Sequence, residues 1–148
     1  MTMPERAVWF ELVAMPLVGL TYLAFMLARI AGTPVDEVSW VLPMIVAMVA
    51  VILIIVLGTI ATAIATHVRA AARGEEAELE EGDVRDKQIE LLGRARTTRV
   101  TSLGSLAAIV LAMAGADPFW IAHALFLSGL LGATYGAVIM LRSYLAGF

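Results

Sequence analysis

The chain has 148 residues, of which only 16% are charged and 61% are hydrophobic, and its mean hydropathy is +0.90. A soluble domain of this size carries about 25% charged and about 45–50% apolar residues. An ordinary water-soluble globule is therefore excluded. A disordered tail, a collagen and, with no cysteine, a disulfide scaffold are excluded as well. The composition predicts an all-α polytopic membrane protein in a single membrane domain, 1–148.

A hydrocarbon core of about 30 Å needs roughly 20 mostly apolar helical residues. Four charge-free stretches occur, at 12–28, 38–66, 100–116 and 119–141. A charged residue at a helix centre costs roughly 2.5–3.5 kcal/mol, so the placement of charges between these runs carries information. The expected spans are about 8–30, 38–67, 100–116 and 118–141, with a cytoplasmic segment at 68–99. A barrel is disfavoured, because its strands alternate apolar and polar residues and these runs are continuously apolar. The first run is expected to be a retained helix rather than a signal peptide. Its basic region is only Arg6, and Glu11 interrupts its start.

Orientation follows from the basic residues. Arg69, Arg73, Arg85, Lys87, Arg94, Arg96 and Arg99 all fall in the connector between spans two and three. With four spans, Arg6 and Arg142 lie on that same side and Arg29 alone lies opposite. Both termini are expected in the cytoplasm of a cell whose plasma membrane (a bacterial inner membrane) holds the chain.

The first span contains Pro16, which should free the carbonyl of Leu12 and bend the helix. In the first outer turn, Thr33-Pro34-Val35-Asp36 offers a capping hydroxyl, a proline at the first helical position and an acid in the first turn. Pro43 then falls near the start of span two. The second outer turn is tighter, with Asp117 as cap and Pro118 starting the fourth helix. In the connector, 74–83 reads GEEAELEEGD and is acidic, whereas 94–99 is basic. The stretch from Asp83 to Arg99 has a helical pattern. It should run straight into span three, its cytoplasmic part projecting about 25 Å as a stalk.

Span four carries a small-residue face, Gly129, Gly132, Ala133 and Gly136, extended by Ala137. Small residues let helix backbones approach closely, and that approach supplies packing energy in lipid. The face serves either a homodimer interface or packing within the chain. Span three offers a matching face at Gly104, Ala108 and Ala112, which suits a hairpin.

Polar groups near the bilayer are few. Thr59, Thr62 and Thr66 share one side of span two and end beside His67. They read as a polar path for transport, or as hydroxyls bonded to their own helix. Glu11 is the one acid close to the hydrocarbon and is a transport candidate, or a group that reaches the headgroups. His123 in span four takes a proton or ligand, or bonds a carbonyl. Asp86 and Glu90 are like charges at i,i+4, which repel in an isolated helix. Asp83, Arg85, Asp86 and Glu90 are therefore candidates for engaging a cytoplasmic protein partner or a second subunit. The other reading of that run is a solvated face. Arg94, Arg96 and Arg99 are expected to meet anionic lipid headgroups, at about 1 kcal/mol each. No catalytic residue, cofactor motif or metal-ligand set occurs, and the basic residues are too few for nucleic-acid binding.

Two short motifs carry a resemblance. One is the D-x-R-D element Asp83-Val84-Arg85-Asp86, placed just before a helical hairpin. The other is the hairpin turn with its Asp117-Pro118-Phe119-Trp120 core. From Asp83 onward the chain resembles a family of small predicted membrane proteins of bacteria and archaea, known as a domain of unknown function. The chain departs from that pattern at Val100 and Thr101, where an aromatic pair is usual, and at His123, where asparagine is expected. The resemblance implies a bacterial plasma membrane and a four-helix plan, and brings no activity, cofactor or catalytic residue.

The expected function is that of a non-enzymatic membrane interaction or regulatory protein, homodimeric in the sense that one glycine face meets its copy. The alternative is a small oligomeric transporter or channel using Glu11, Thr59, Thr62 and His67.

Overall fold

Four long helices follow one another in the computed structural model, which describes residues 3–73 and 84–146. They are α1 (Met3–Ile30), α2 (Val41–Arg73), α3 (Val84–Met113) and α4 (Pro118–Leu145), with a three-residue 3-10 turn at Val35–Glu37. No strand occurs among the described residues. Three helices contain stretches long and apolar enough to cross a membrane: Glu5–Ile30, Val41–Ala72 and Pro118–Leu145. α3 falls short of that measure, because its first half carries the connector's charges. The acidic run 74–83, with the expected helix start and partner-binding Asp83, lies outside the described residues.

The turns are set by local chemistry. α3 stops in a Schellman arrangement. Ala116 N donates to Leu111 O at 3.0 Å and Gly115 N to Ala112 O at 3.1 Å. Gly115 makes this possible by adopting φ 71°, a region that penalises a Cβ. Asp117 then caps α4 as expected, its carboxylate accepting from Phe119 N at 2.8 Å, and Pro118 opens the helix. The first turn differs from expectation. The 3-10 turn begins at Pro34 with no side-chain cap, so Thr33 does not serve as one. Backbone bonds from Glu37 N to Pro34 O and from Val38 N to Val35 O close it instead. Arg29 reinforces this turn by donating to Ser39 O at 3.1 Å.

α3 and α4 form an antiparallel hairpin along a glycine-rich seam. Gly93 faces Met140, Gly104 faces Ser128, and Gly132 and Gly136 face Thr97 and its neighbours. α1 packs on the other side of α4 and also on α2. The helices thus stand in the order α2, α1, α4, α3. Among the described residues no extended seam joins α2 to α3. The arrangement is an all-helical row in which α1 and α4 are the middle pair.

Two buried clusters hold the row. At the end that carries the short turns, Tyr22, Met26, Val38, Met44, Ala47 and Phe119 join α1, α2 and α4. At the opposite end, where the described termini lie, Val8, Ile89, Ala137 and Met140 join α1, α3 and α4. The second cluster corrects the expected stalk. The base of α3 does not project alone, because Ile89 is 1% exposed and packs against the ends of α1 and α4. α2 also runs on through His67 to Arg73, about two turns beyond its expected end.

Candidate functional site

Three polar assemblies interrupt the apolar row, one at the turn end and two at the terminal end. At the turn end, the Tyr22 hydroxyl and His123 Nε2 are 2.7 Å apart, and His123 Nδ1 is 2.6 Å from the Phe119 carbonyl. A carbonyl only accepts. Nδ1 therefore carries the proton and donates to Phe119 O, and Nε2 accepts from Tyr22. Both side chains are buried, at 4% and 7% exposure. Rings enclose them: Phe119 stacks on His123 at 3.9 Å between centroids, Trp40 meets His123 edge-on, and Phe126 meets Tyr22 edge-on. Of the two roles open to His123, bonding a carbonyl is the one seen here. The pair ties α1 to α4, and all its hydrogen-bonding capacity toward Nδ1 and Nε2 is used.

At the terminal end, a hollow of about 430 Å³ lies between α1 and α3, with α4 beneath it. Its lining is Glu11, Glu90, Arg94, Thr97, Thr98 and Met140. Glu11 enters from α1. The other polar groups come from one face of α3, since 90, 94, 97 and 98 share a side at helical spacing. Arg94 Nε donates to Glu90 at 3.0 Å, which is the favourable i,i+4 pair. Among the described residues no hydrogen bond or ion pair reaches the Glu11 carboxylate. Thr98 returns its hydroxyl to Arg94 O at 2.9 Å.

Below this hollow a separate lock fastens α3 to α4. Asp86 is buried at 6% exposure and is hydrogen-bonded to the Tyr144 hydroxyl. Arg85 donates to Tyr144 O at 3.3 Å. Two of the residues expected to engage a partner are thus turned onto the same chain. Glu90 is occupied by Arg94.

The small-residue face of α4 is likewise used within the chain. Gly132, Ala133 and Gly136 are buried, and a Cβ on Gly136 would meet Thr97 Oγ1 and Gly93 O. Of the two readings of this face, packing within the chain is the one seen, against α3. Gly129 alone faces open space. Sequence reasoning missed Gly93 and Thr97, which continue the face at Gly104 and Ala108 by spacings of four and seven.

The threonines of α2 each bond their own helix. Thr59 donates to Ile55 O at 2.7 Å, Thr62 to Thr59 O at 2.8 Å and Thr66 to Thr62 O at 2.9 Å. Arg6 donates to Thr66 and so ties α1 to α2. His67 is exposed. No hydrogen bond joins Glu11 to these groups among the described residues. Arg96 is half-buried and Arg99 exposed on α3. No group of three or more metal-ligating side chains occurs among the described residues. The chain matches no family model, no curated protein and no solved structure.

Proposed function

We propose that this chain is a four-span inner-membrane protein with both termini and the 68–99 connector in the cytoplasm. It works by association, without catalysis, and forms a homodimer. α3 is the fourth span in this reading, carried across by its seam with α4. The family resemblance at Asp83-Val84-Arg85-Asp86 and at the hairpin turn belongs to the same proposal.

One observation carries the reading. Along most of its length α2 has a single helical neighbour, and its far side is apolar and uncovered. Leu57 is 58% exposed and Ile64 58%, and Ile60 lies between them on the same face. A long apolar helix at the edge of a row offers its side to lipid or to another helix, not to a substrate. Because Gly132 and Gly136 are engaged by α3, the contact between copies falls on α2.

The absence of native cysteine makes the test clean. Single cysteines at Leu57, Ile60 and Ile64 should each give a disulfide-linked dimer on mild oxidation in native membranes, and one at Gly129 should not. Dimers arising only from Gly129→Cys, or from none of them, would sink the assignment. Thr33→Cys and Ala146→Cys should label from opposite sides of the membrane. Labelling of both from one side would refute the topology.

A further inference from the structure

Between α1 and α2, in the halves that lie toward the turns, there is a hollow of about 470 Å³. Its α1 wall runs from Leu17 to Phe25 and its α2 wall from Leu42 to Ala50. In both helices the lining residues follow one another at spacings of one and three or four, so each wall is a single helix face. The floor includes Tyr22 and Ala47, both buried, and the rim is Leu17, Phe25, Leu42 and Val46, all exposed. The hydroxyls in the walls are spent elsewhere. Thr21 donates to Leu17 O at 2.7 Å, and the Tyr22 hydroxyl is held by His123. The interior is therefore an apolar slot. Each wall is eight residues from end to end, about 12 Å along a helix, against about 15 Å for one leaflet of a 30 Å core.

Arg29 stands at the turn-side end of this slot. It lies one helical turn beyond Phe25, and its guanidinium carbon is 4.7 Å from the centre of the Phe25 ring. Its Nη1 donates to Ser39 O at 3.1 Å, three residues before Leu42. The group thus reaches from the α1 wall to the start of the α2 wall. A guanidinium has five N–H donors, and one hydrogen bond uses them here among the described residues. Among those residues no carboxylate forms an ion pair with it. From this placement we infer that the slot holds one acyl chain of a phospholipid of the turn-side leaflet, with the lipid phosphate on Arg29. The inference rests on the membrane reading above.

The order of chemistry along the helices is that of the lipid itself. A planar fork suited to phosphate comes first, and an apolar slot about as deep as a leaflet follows. The recognition is of phosphate and chain, not of one headgroup. Asp36 and Glu37 in the adjoining 3-10 turn oppose Arg29 in sign, so a net negative headgroup gains no advantage over a zwitterionic one. A helix from a second copy fits the slot less well. Helices approach closely in lipid through small residues, whereas this rim is two leucines, a phenylalanine and a valine. The α2 wall also ends at Ala50, about 10 Å along the helix from Leu57. The lipid and the contact between copies proposed above therefore use different depths of α2.

The test is native mass spectrometry of the full chain released from bilayers of phosphatidylglycerol, phosphatidylethanolamine and diacylglycerol with identical acyl chains. Either phospholipid should be retained at least several-fold over diacylglycerol, which has the chains without the phosphate. Arg29→Gln should lower phospholipid retention roughly tenfold, the scale of one charge-assisted hydrogen bond, and leave diacylglycerol unchanged. Ala50→Trp, which fills the slot from α2, should lower both. Equal retention of diacylglycerol and phospholipid by the unmodified chain overturns the inference, and this arm needs no variant to fold. So does an adduct with the mass of a free fatty acid in place of a phospholipid. Undiminished phospholipid on an Arg29→Gln or Ala50→Trp protein of normal helix content overturns it too, as does an Ala50→Trp chain that loses its dimer but keeps its lipid. Failure of the membrane reading would show separately, as a chain that stays folded and monodisperse without detergent or lipid.

Discussion

Replacing Gly136 by alanine isolates what the α3–α4 seam contributes. Alanine is the better helix former by about 0.8–1 kcal/mol, so on a free surface the change should stabilise. At this position the new β-carbon would press on Thr97 Oγ1 and lie 3.0 Å from Gly93 O. The threonine can turn, but the carbonyl belongs to the facing backbone and cannot move without parting the helices. Overpacking of this kind costs about 1–3 kcal/mol. The carbonyl clash offsets the propensity gain, and the net expectation is a loss of up to about 2 kcal/mol by these figures. Gly129 is the internal control. It lies on the same helix with nothing within 4 Å of its would-be Cβ, so Gly129→Ala should be neutral or slightly stabilising.

The assay is reversible unfolding in mixed micelles, followed by helix ellipticity, for the wild type and the two alanine variants. A dimer population measured alongside should not respond to Gly136→Ala, because that glycine faces its own chain. Equal stability of the Gly136 and Gly129 variants would refute the reasoning, and so would a Gly136 variant that separates dimers while leaving the monomer's stability untouched.

Three further outcomes follow from the same geometry. Asp117→Ala should lower stability by about 1 kcal/mol, the usual value of a helix cap, and Asp117→Asn should recover most of it in the same assay. Tyr22→Phe should cost about 0.6–1.7 kcal/mol, the range for interhelical hydrogen bonds in membranes, and the His123 Nε2 resonance should shift in nitrogen NMR as it loses its donor. Tyr144→Phe and Asp86→Asn should be strongly non-additive in a double-mutant cycle, with a coupling of about 0.5–3 kcal/mol; additive effects would show that the two side chains do not act together.

Much of the architecture is legible in the sequence, and the reason is the cost of charge in hydrocarbon. That cost confines Glu11, Arg29 and the connector's charges to helix ends and so marks α1, α2 and α4. The tight turn is legible too, because Asp117 and Pro118 carry unambiguous capping chemistry. The order of the helices in the row is not. In lipid the buried and exposed faces of a helix are both apolar, so periodicity does not say which side of α1 meets α2 and which meets α4. The Tyr22–His123 pair is hidden for the same reason. Its partners are 101 positions apart, and nothing local to Tyr22 distinguishes it from any aromatic in an apolar run. Gly132 and Gly136 were readable as a packing face, but not their partner. Gly93 sits among charged residues, in a segment that reads as solvated until Ile89 and Asp86 are seen to be buried.

In the four-span reading, that segment is what lets α3 join the membrane row despite its composition. Its apolar stretch, 100–113, covers only about 21 Å of a roughly 30 Å core. Alone it would be a poor span. Against α4 it gains a close seam from Gly93 to Gly104, and its hydroxyls at Thr98, Thr101 and Ser105 bond carbonyls of the same helix, which lowers the cost of carrying those three into lipid. In the four-span reading the remaining mismatch falls on Arg99, whose long side chain can carry its charge back toward the headgroups. The hairpin is then the unit that inserts. α4 supplies the hydrophobicity, and α3 supplies the polar wall, Glu90, Arg94, Thr97 and Thr98, that faces Glu11 of α1.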